Sequence, residues 1–195
     1  EFNQKVSSAT SVTPNLIIDA NTNISCSNVT VTGTQTYNGN VQIDTAATIK
    51  ASEIDFAKNI SGSGKKLTID SPIIKSTIAS GSAEITLSEL SFVKTSTSLE
   101  TANNTNINLN VPNIKGAGKT IVIDETLKNI TLTPTAVTVE STVQTETNSK
   151  LTASSGTTTF KADVTLANAT LDANGGTIIF TGSGSTLSGN NTFKN

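Results

Sequence analysis

The chain lacks the side chains on which most enzyme chemistry depends. Its 195 residues include no His, Arg, Met or Trp. Without His there is no Ser-His triad, no imidazole acid or base and no His metal ligand, and without Arg there is no guanidinium clamp for phosphate or carboxylate. The single cysteine, Cys26, excludes an intramolecular disulfide, and we interpret it as a small apolar core residue. The sequence therefore predicts no catalytic residue, no cofactor and no metal.

Charge and hydropathy exclude two classes of partner. Thirteen lysines stand against fifteen acidic residues, for a net charge of -2, and no block of like charge occurs. Nucleic-acid binding normally requires a basic stripe, which is absent. No apolar stretch approaches the roughly 18 residues of a membrane span. We predict no nucleic-acid partner and no membrane insertion of this segment.

Thr, Ser and Asn dominate what is present, with 35, 23 and 21 copies. These residues compete with the backbone for hydrogen bonds and so disfavour helix, and no long apolar stripe of helical period occurs. Short alternating segments appear instead, as in NVTVTGTQT (28–36) and VTVESTV (137–143). Such segments, bounded by turn residues, predict an all-β protein.

The aromatic residues follow a repeating local pattern. In all but Phe180, a Thr, Ser, Asp or Glu precedes the aromatic, polar or small residues follow, and a β-branched residue usually closes the pattern, as in TYNGNV (36–41) and DFAKNI (55–60). TLKNI (126–130) is a variant with Leu127 in the aromatic place. The intervals between these positions are 35, 19, 36, 35, 33 and 33, which divide into eleven units of about 17. The positions that set this period are Phe2, Tyr37, Phe56, Phe92, Leu127, Phe160 and Phe193.

A unit of this size cannot bury a face alone, but stacked on its neighbours it forms one coil of a β-solenoid. We therefore predict a parallel β-helix, right-handed, with about 17–20 residues per coil, whose core contains the seven positions above as one aligned stack. Residues 1–195 are expected to form a single repeat array, cut from a longer secreted polypeptide whose adjacent repeats are its partners. The alternative is a pair of tandem Ig-like β-sandwiches, which predicts a core aromatic only about once per 95 residues.

Acidic residues provide the only enzymatic alternative, a polysaccharide-acting β-helix. Glycoside hydrolysis needs two carboxylates facing each other across about 5 to 9 Å. The pairs to inspect are Asp163 with Asp172 and Asp124 with Glu125. Four apolar segments also end in Asp, and we interpret them as strands that leave the core at an Asp-initiated turn: LIID (16–19), VQID (41–44), LTID (67–70) and IVID (121–124).

A third alternative is ice binding, which flat threonine arrays on a solenoid suit. The candidate segments are Thr157-Thr158-Thr159 and Val29 to Thr36. The Thr-x-Thr pattern does not recur once per predicted coil, which counts against this alternative.

TGTQTYNGNVQI (32–43) and LSGNNTFKN (187–195) resemble the repeats of filamentous-haemagglutinin-like proteins and of autotransporter passenger domains. The resemblance lies in the style of the repeats over most of the chain, although this sequence has less glycine and one short interval, from Tyr37 to Phe56. It implies a non-enzymatic adhesin or stalk at the bacterial outer-membrane surface or in the extracellular space. The partner it implies is a host matrix or a cell-surface receptor.

Overall fold

In the computed structural model, residues 6–7, 15–103, 105–124, 126 and 129–195 are described, without the side chains of residues 6, 7, 187 and 194. Every regular element in these ranges is a β-strand, and the strands pair in parallel. They wind on three faces around one core, which makes a parallel β-helix of about eight turns. The predicted fold class is confirmed, and the tandem-sandwich alternative, which needs antiparallel sheets, is wrong.

Each turn contributes one strand to each face. The first face, a nine-stranded sheet, contains β2 (Leu16–Ile18), β5 (Thr34–Tyr37), β8 (Glu53–Phe56), β10 (Ile73–Ser76), β12 (Ser96–Thr101), β15 (Thr120–Ile123), β18 (Thr142–Thr145), β21 (Val164–Ala167) and β24 (Thr186–Ser188). The second face contains β3 (Thr22–Ile24), β6 (Val41–Ile43), the first parts of β9 (Ile60–Asp70) and β11 (Ser82–Phe92), then β13 (Asn106–Asn110), β16 (Asn129–Leu132), β19 (Lys150–Thr152), β22 (Thr170–Asp172) and β25 (Thr192–Lys194). The third face contains β1 (Val6–Ser7), β4 (Asn28–Thr30), β7 (Ala47–Lys50), the second parts of β9 and β11, then β14 (Asn113–Lys115), β17 (Ala136–Val139), β20 (Thr157–Phe160) and β23 (Thr177–Phe180).

The alternation seen in the sequence is the alternation between core and solvent. In β20, for example, Thr158 and Phe160 are fully buried, whereas Thr157 and Thr159 face outward. Successive side chains of a strand point to opposite sides, so a short strand with two apolar residues lines the core and leaves its polar residues in water. The buried apolar residues form one continuous cluster from Ile24 to Leu171.

The length of chain in each turn is not constant. On the first face, Leu16 pairs with Gln35 and Gln35 with Ile54, and contacts between these early turns have a sequence separation of 19. Ile74 pairs with Leu99 further along, where the separation rises to 25, and Val143 pairs with Val164, where it has returned to 21. The early turns therefore match the predicted coil length and the later ones exceed it. The division into eleven equal units is wrong, because extra residues enter at the corners, which the core does not constrain.

The aromatic pattern marks a corner between two strands. Tyr37 ends β5 and Val41 begins β6, just as Phe160 ends β20 and Val164 begins β21. From Phe56 to Phe92 the chain passes five strand segments, not six, which amounts to one and two-thirds turns. The interval from Phe56 to Phe92 is thus five strand-and-corner steps rather than two complete coils.

Candidate functional surfaces

The predicted aromatic stack is distributed over all three faces. Tyr37 and Phe56 are paired on the first face, with ring centroids 6.0 Å apart. Phe92 and Phe160 lie on the third face, three turns apart, with Ile114 and Val139 on the turns between them. A single column is therefore wrong, because the interval of one and two-thirds turns from Phe56 to Phe92 moves the aromatic from the first face to the third.

The last turn leaves part of the core open to solvent. Phe193 lies on the second face opposite Leu171 and is 56% exposed. Phe180, which the aromatic pattern excluded, pairs with Phe160 on the third face, and their rings stack at 5.5 Å. The two remaining predicted positions, Phe2 and Leu127, lie outside the described residues.

Opposite charges face each other on adjacent turns. Wherever the described strand register sets two charged residues side by side, their signs are opposite. Among residues whose side chains are described, the pairs are Lys50 with Asp70, Lys66 with Glu89, Asp55 with Lys75, and Lys75 with Glu100. Like charges directly opposite each other destabilise a sheet, whereas unlike charges favour the observed register. Sequence reasoning missed these pairs, although in each one the lysine and the acid lie one turn apart along the chain.

Asp70 is the centre of one such ladder on the third face. Its Oδ2 lies 3.3 Å from Nζ of Lys50 on the preceding turn, and its Oδ1 lies 3.1 Å from Nζ of Lys94 on the following turn. Partial burial by itself would raise the pKa of Asp70, but the hydrogen bonds from Lys94 and Lys50 outweigh it and lower that pKa. The carboxylate is therefore held in its charged form.

A second ladder is centred on Glu140. Oε1 of Glu140 accepts a hydrogen bond from Nζ of Lys115 at 2.7 Å and another from Nζ of Lys161 at 3.4 Å. The bond to Lys115 is the main cause that lowers the pKa of Glu140 and raises the pKa of Lys115. Both groups are exposed enough for solvent to screen them, so each pair adds little stability and acts mainly on register.

A lateral groove of about 520 Å³ lies beside the Asp70 ladder, at the corner between the third and first faces. Small residues from successive turns, Val31, Ala51 and Pro72, form its apolar floor, and Ser52 adds a hydroxyl. Lys50 and Lys94 line it with their amines. Because these lysines share one carboxylate, the groove has a weak positive charge.

The described members of the acidic pairs proposed for catalysis have separate structural roles. Asp163 accepts a hydrogen bond from the backbone N–H of Gly184 at 2.7 Å, just before the first-face strand β21. Asp172 ends the second-face strand β22 and forms an ion pair with Lys150 at 3.1 Å. Asp124 accepts a hydrogen bond from the N–H of Thr126 at 2.8 Å, and Glu125 lies outside the described residues.

The four segments that end in Asp are spread over the three faces, with two of them on the first face. Asp124 forms the predicted Asp-initiated turn. Asp19 instead accepts a hydrogen bond from Nδ2 of Asn38 at 2.7 Å, and Asp44 accepts one from Oγ of Ser25 at 3.0 Å. These bonds join neighbouring turns, as do the Asp70 ion pairs, so the interpretation as local turns is right for one segment of the four.

Asp55 is the acidic residue in the least favourable surroundings. It lies on the first face between Thr36 and Lys75, and its Oδ1 is buried without a hydrogen-bond partner among the described atoms. Burial is the main cause that raises the pKa of Asp55, and Glu53 adds to it, against the opposing effects of Thr77 and Lys75.

The threonine segments do not form an extended flat array. On the third face, Thr157 and Thr159 face outward, between Ala136 and Thr138 on one side and Thr177 and Ile179 on the other. Of these three neighbouring strands, only the middle one, β20, has threonine at both of these outward positions. The segment 29–36 passes through a corner from β4 to β5, so its threonines lie on two faces.

A cluster of buried polar side chains lies within the core of the N-terminal turns. Cys26 is buried, as predicted, and its Sγ lies 3.4 Å from the carbonyl oxygen of Asn28. The hydroxyl of Tyr37 donates to Oε1 of the fully buried Gln35 at 2.5 Å. Gln35 in turn donates to the carbonyl oxygens of Val29 and Lys50, and burial raises the pKa of Tyr37. The cluster satisfies its own polar atoms, which makes it structural.

The described residues contain no group of three or more His, Cys, Asp or Glu side chains placed to hold a metal ion. In that part of the chain there is also no helix able to cross a bilayer. Comparison of the chain with protein-family models, with curated proteins and with solved structures gives no match.

Proposed function

We propose that the chain is a non-enzymatic adhesin or stalk that acts as a rigid rod at the bacterial outer-membrane surface or in the extracellular space. The observation that carries the proposal is the unbroken stacking of three strand columns over about eight turns. With strands about 4.8 Å apart, this stack extends roughly 40 Å along its axis. Every turn is hydrogen-bonded to the next on three faces, so the rod resists bending.

The sides of the rod support the same proposal. Their charges are matched from turn to turn, and their remaining outward positions carry mostly Thr, Ser and Asn. Such surfaces keep water bound and resist lateral aggregation, while many weak polar contacts add up when a ligand is multivalent. The partner we propose is a host matrix or a cell-surface receptor.

The groove beside Asp70 is a recess in the sides of the rod in which contact with a partner would bury surface. Its hydroxyl groups and lysines offer hydrogen-bond donors above an apolar floor. We therefore expect substitutions in the groove to weaken adhesion more than substitutions at other corners.

The test is adhesion of beads coated with the folded chain to matrix proteins and to cell monolayers. We expect binding that increases steeply with coating density and that Ser52→Glu, which fills the groove, reduces. Thr45→Glu is the matched control, since Thr45 is also an exposed corner residue but lies between the second and third faces. Adhesion equal to that of beads coated with an unrelated globular protein would contradict the adhesive role and leave a stalk.

A stalk is tested separately by placing the chain between a bead and a binding module of known specificity. Two copies in tandem should hold the module further from the bead and improve capture on a crowded surface. Capture that is independent of the number of copies would contradict the stalk role.

A further inference from the structure

We propose that Asn174 is a site of spontaneous deamidation and that the fold protects the other Asn-Gly sequence, Asn38-Gly39, from the same reaction. The inference is independent of the proposed surface role. In the reaction, the backbone nitrogen of the glycine attacks Cγ of the asparagine, the N–Cγ bond forms, the Cγ–Nδ2 bond breaks, and ammonia leaves with the amide proton. Water then opens the cyclic imide at either carbonyl and gives aspartate or isoaspartate.

Asn174 is free to react. It lies at the corner between β22 and β23, in a turn closed by a hydrogen bond from Gly176 N–H to the carbonyl of Ala173 at 2.8 Å. Asn174 and Gly175 both have positive φ, 52° and 74°, and both are exposed. The Asn174 backbone N–H donates to Asp172 at 2.9 Å, but its side-chain amide has no hydrogen bond to any described residue.

The space around Gly175 is open as well. A Cβ placed on Gly175 would meet no atom within 4 Å, so the side of Gly175 on which a side chain would lie is open to solvent. The turn leads directly into the strand β23, whose side chains are largely exposed. Segments with few buried contacts open locally at low cost in free energy.

Asn38 has the same neighbour in sequence but the opposite surroundings. Its Nδ2 donates to Oδ1 of Asp19 at 2.7 Å, and its backbone N–H donates to the carbonyl of Ile18 at 2.8 Å. Gly39 is buried, and a Cβ there would lie 2.3 Å from the backbone of Ala20. The amide is thus held by a charged acceptor, while Gly39, which carries the attacking nitrogen, is packed against the preceding turn.

Deamidation at Asn174 would change the corner in two ways. Aspartate keeps the turn, because Asp tolerates positive φ, but adds a negative charge close to Asp172, the partner of Lys150. Isoaspartate lengthens the backbone by one carbon and would disrupt the bond between Gly176 and Ala173.

The experiment follows both asparagines in one molecule. The folded chain is incubated in mildly alkaline buffer, digested, and analysed by mass spectrometry with fragmentation that localises each amide-to-acid conversion. We expect conversion at Asn174 to be about tenfold faster than at Asn38 or more, because reaction at Asn38 first requires breaking a hydrogen bond to a charged group. In urea, where the chain is unfolded, the two rates should become equal.

Two variants extend the comparison. Asn174→Gln should abolish the fast conversion, and Asp19→Ala should accelerate conversion at Asn38 in the folded chain without changing the rate at Asn174. Equal rates at the two sites in the folded chain, or a faster rate at Asn38, would overturn the proposal.

Discussion

Deleting residues 143–163 removes one complete turn, because Val143 and Val164 occupy equivalent places on successive turns of the first face. After the deletion Val164 takes the inward place of Val143, and Phe180 comes to face Val139 on the third face. Glu140 loses Lys161 but keeps Lys115. Inward and outward positions therefore remain matched on every strand, and the chain should fold as a rod shorter by one turn.

The magnitude follows from the nearest-neighbour character of a solenoid. Removing one of about eight turns should lower the denaturant m-value by about one-eighth, since m scales with the surface exposed on unfolding. For a typical stability of about 5 to 15 kcal/mol, the free energy of unfolding should fall by about 0.6 to 2 kcal/mol. Small-angle scattering should show a maximum dimension smaller by about 4.8 Å.

A shorter deletion provides the control. Removing residues 143–156 takes out less of the chain, but it places Thr157 in the inward position of Val143 and turns Phe160 towards solvent. Loss of a buried Phe alone costs about 3–5 kcal/mol, so this smaller deletion should be the more damaging one. Urea unfolding followed by far-UV circular dichroism compares the two. If the one-turn deletion unfolds the chain and the shorter deletion does not, complete turns are not the structural unit.

Three further predictions concern single residues. Asp55→Asn should stabilise the fold at pH 7, because the raised pKa of Asp55 means that its charge is unfavourable in the folded state. The gain should vanish below the ordinary Asp pKa of about 4, where the carboxyl is protonated in both the folded and the unfolded chain. Urea unfolding at pH 7 and below that pKa measures both effects. Asp70→Asn should reduce the loss of stability on acidification below about pH 4, because the lowered pKa of Asp70 stabilises the fold only while the carboxylate is charged. The difference should be about 1 kcal/mol or less, since the lysines that pair with Asp70 are solvent-exposed. The same fall in the free energy of unfolding with pH for wild type and variant would contradict the prediction. Val139→Ile should stabilise the fold by about 0.5–1.5 kcal/mol, since Val139 lines an apolar core cavity of about 30 Å³; a lower melting temperature would show that the cavity is too small.

The sequence pattern predicted the fold class because alternation and corner residues are local properties. Each short strand has its own inward apolar residues, and corners such as the one from Tyr37 to Val41 repeat with similar composition. The number of residues per turn was not predictable from the aromatics, because an aromatic residue can end a strand on any of the three faces. The interval between two aromatics therefore need not be a whole number of turns. Phe92 and Phe56 illustrate this, since they end strands on different faces.

The outward surface was the part that sequence reasoning missed. Lys66 pairs with Glu89 and Lys50 pairs with Asp70, but the two pairs have different separations along the chain. Since the separation changes from turn to turn, no fixed period connects the charges, and scattered lysines are indistinguishable from an ordinary solvated surface. Asp55 was missed for a different reason, because the burial of one carboxylate oxygen depends on the packing of its neighbours.

The way in which the chain uses its charges also bears on its function. In an active site, carboxylates are brought together so that their pKa values separate and one can give a proton while the other accepts it. Here Asp70 and Glu140 each lie between two lysines from adjacent turns, and both pKa values are lowered. Such an arrangement keeps an acid ionised and fixes the register of the strands. An outer surface that uses its acids to align turns suits a protein whose function depends on its length and shape.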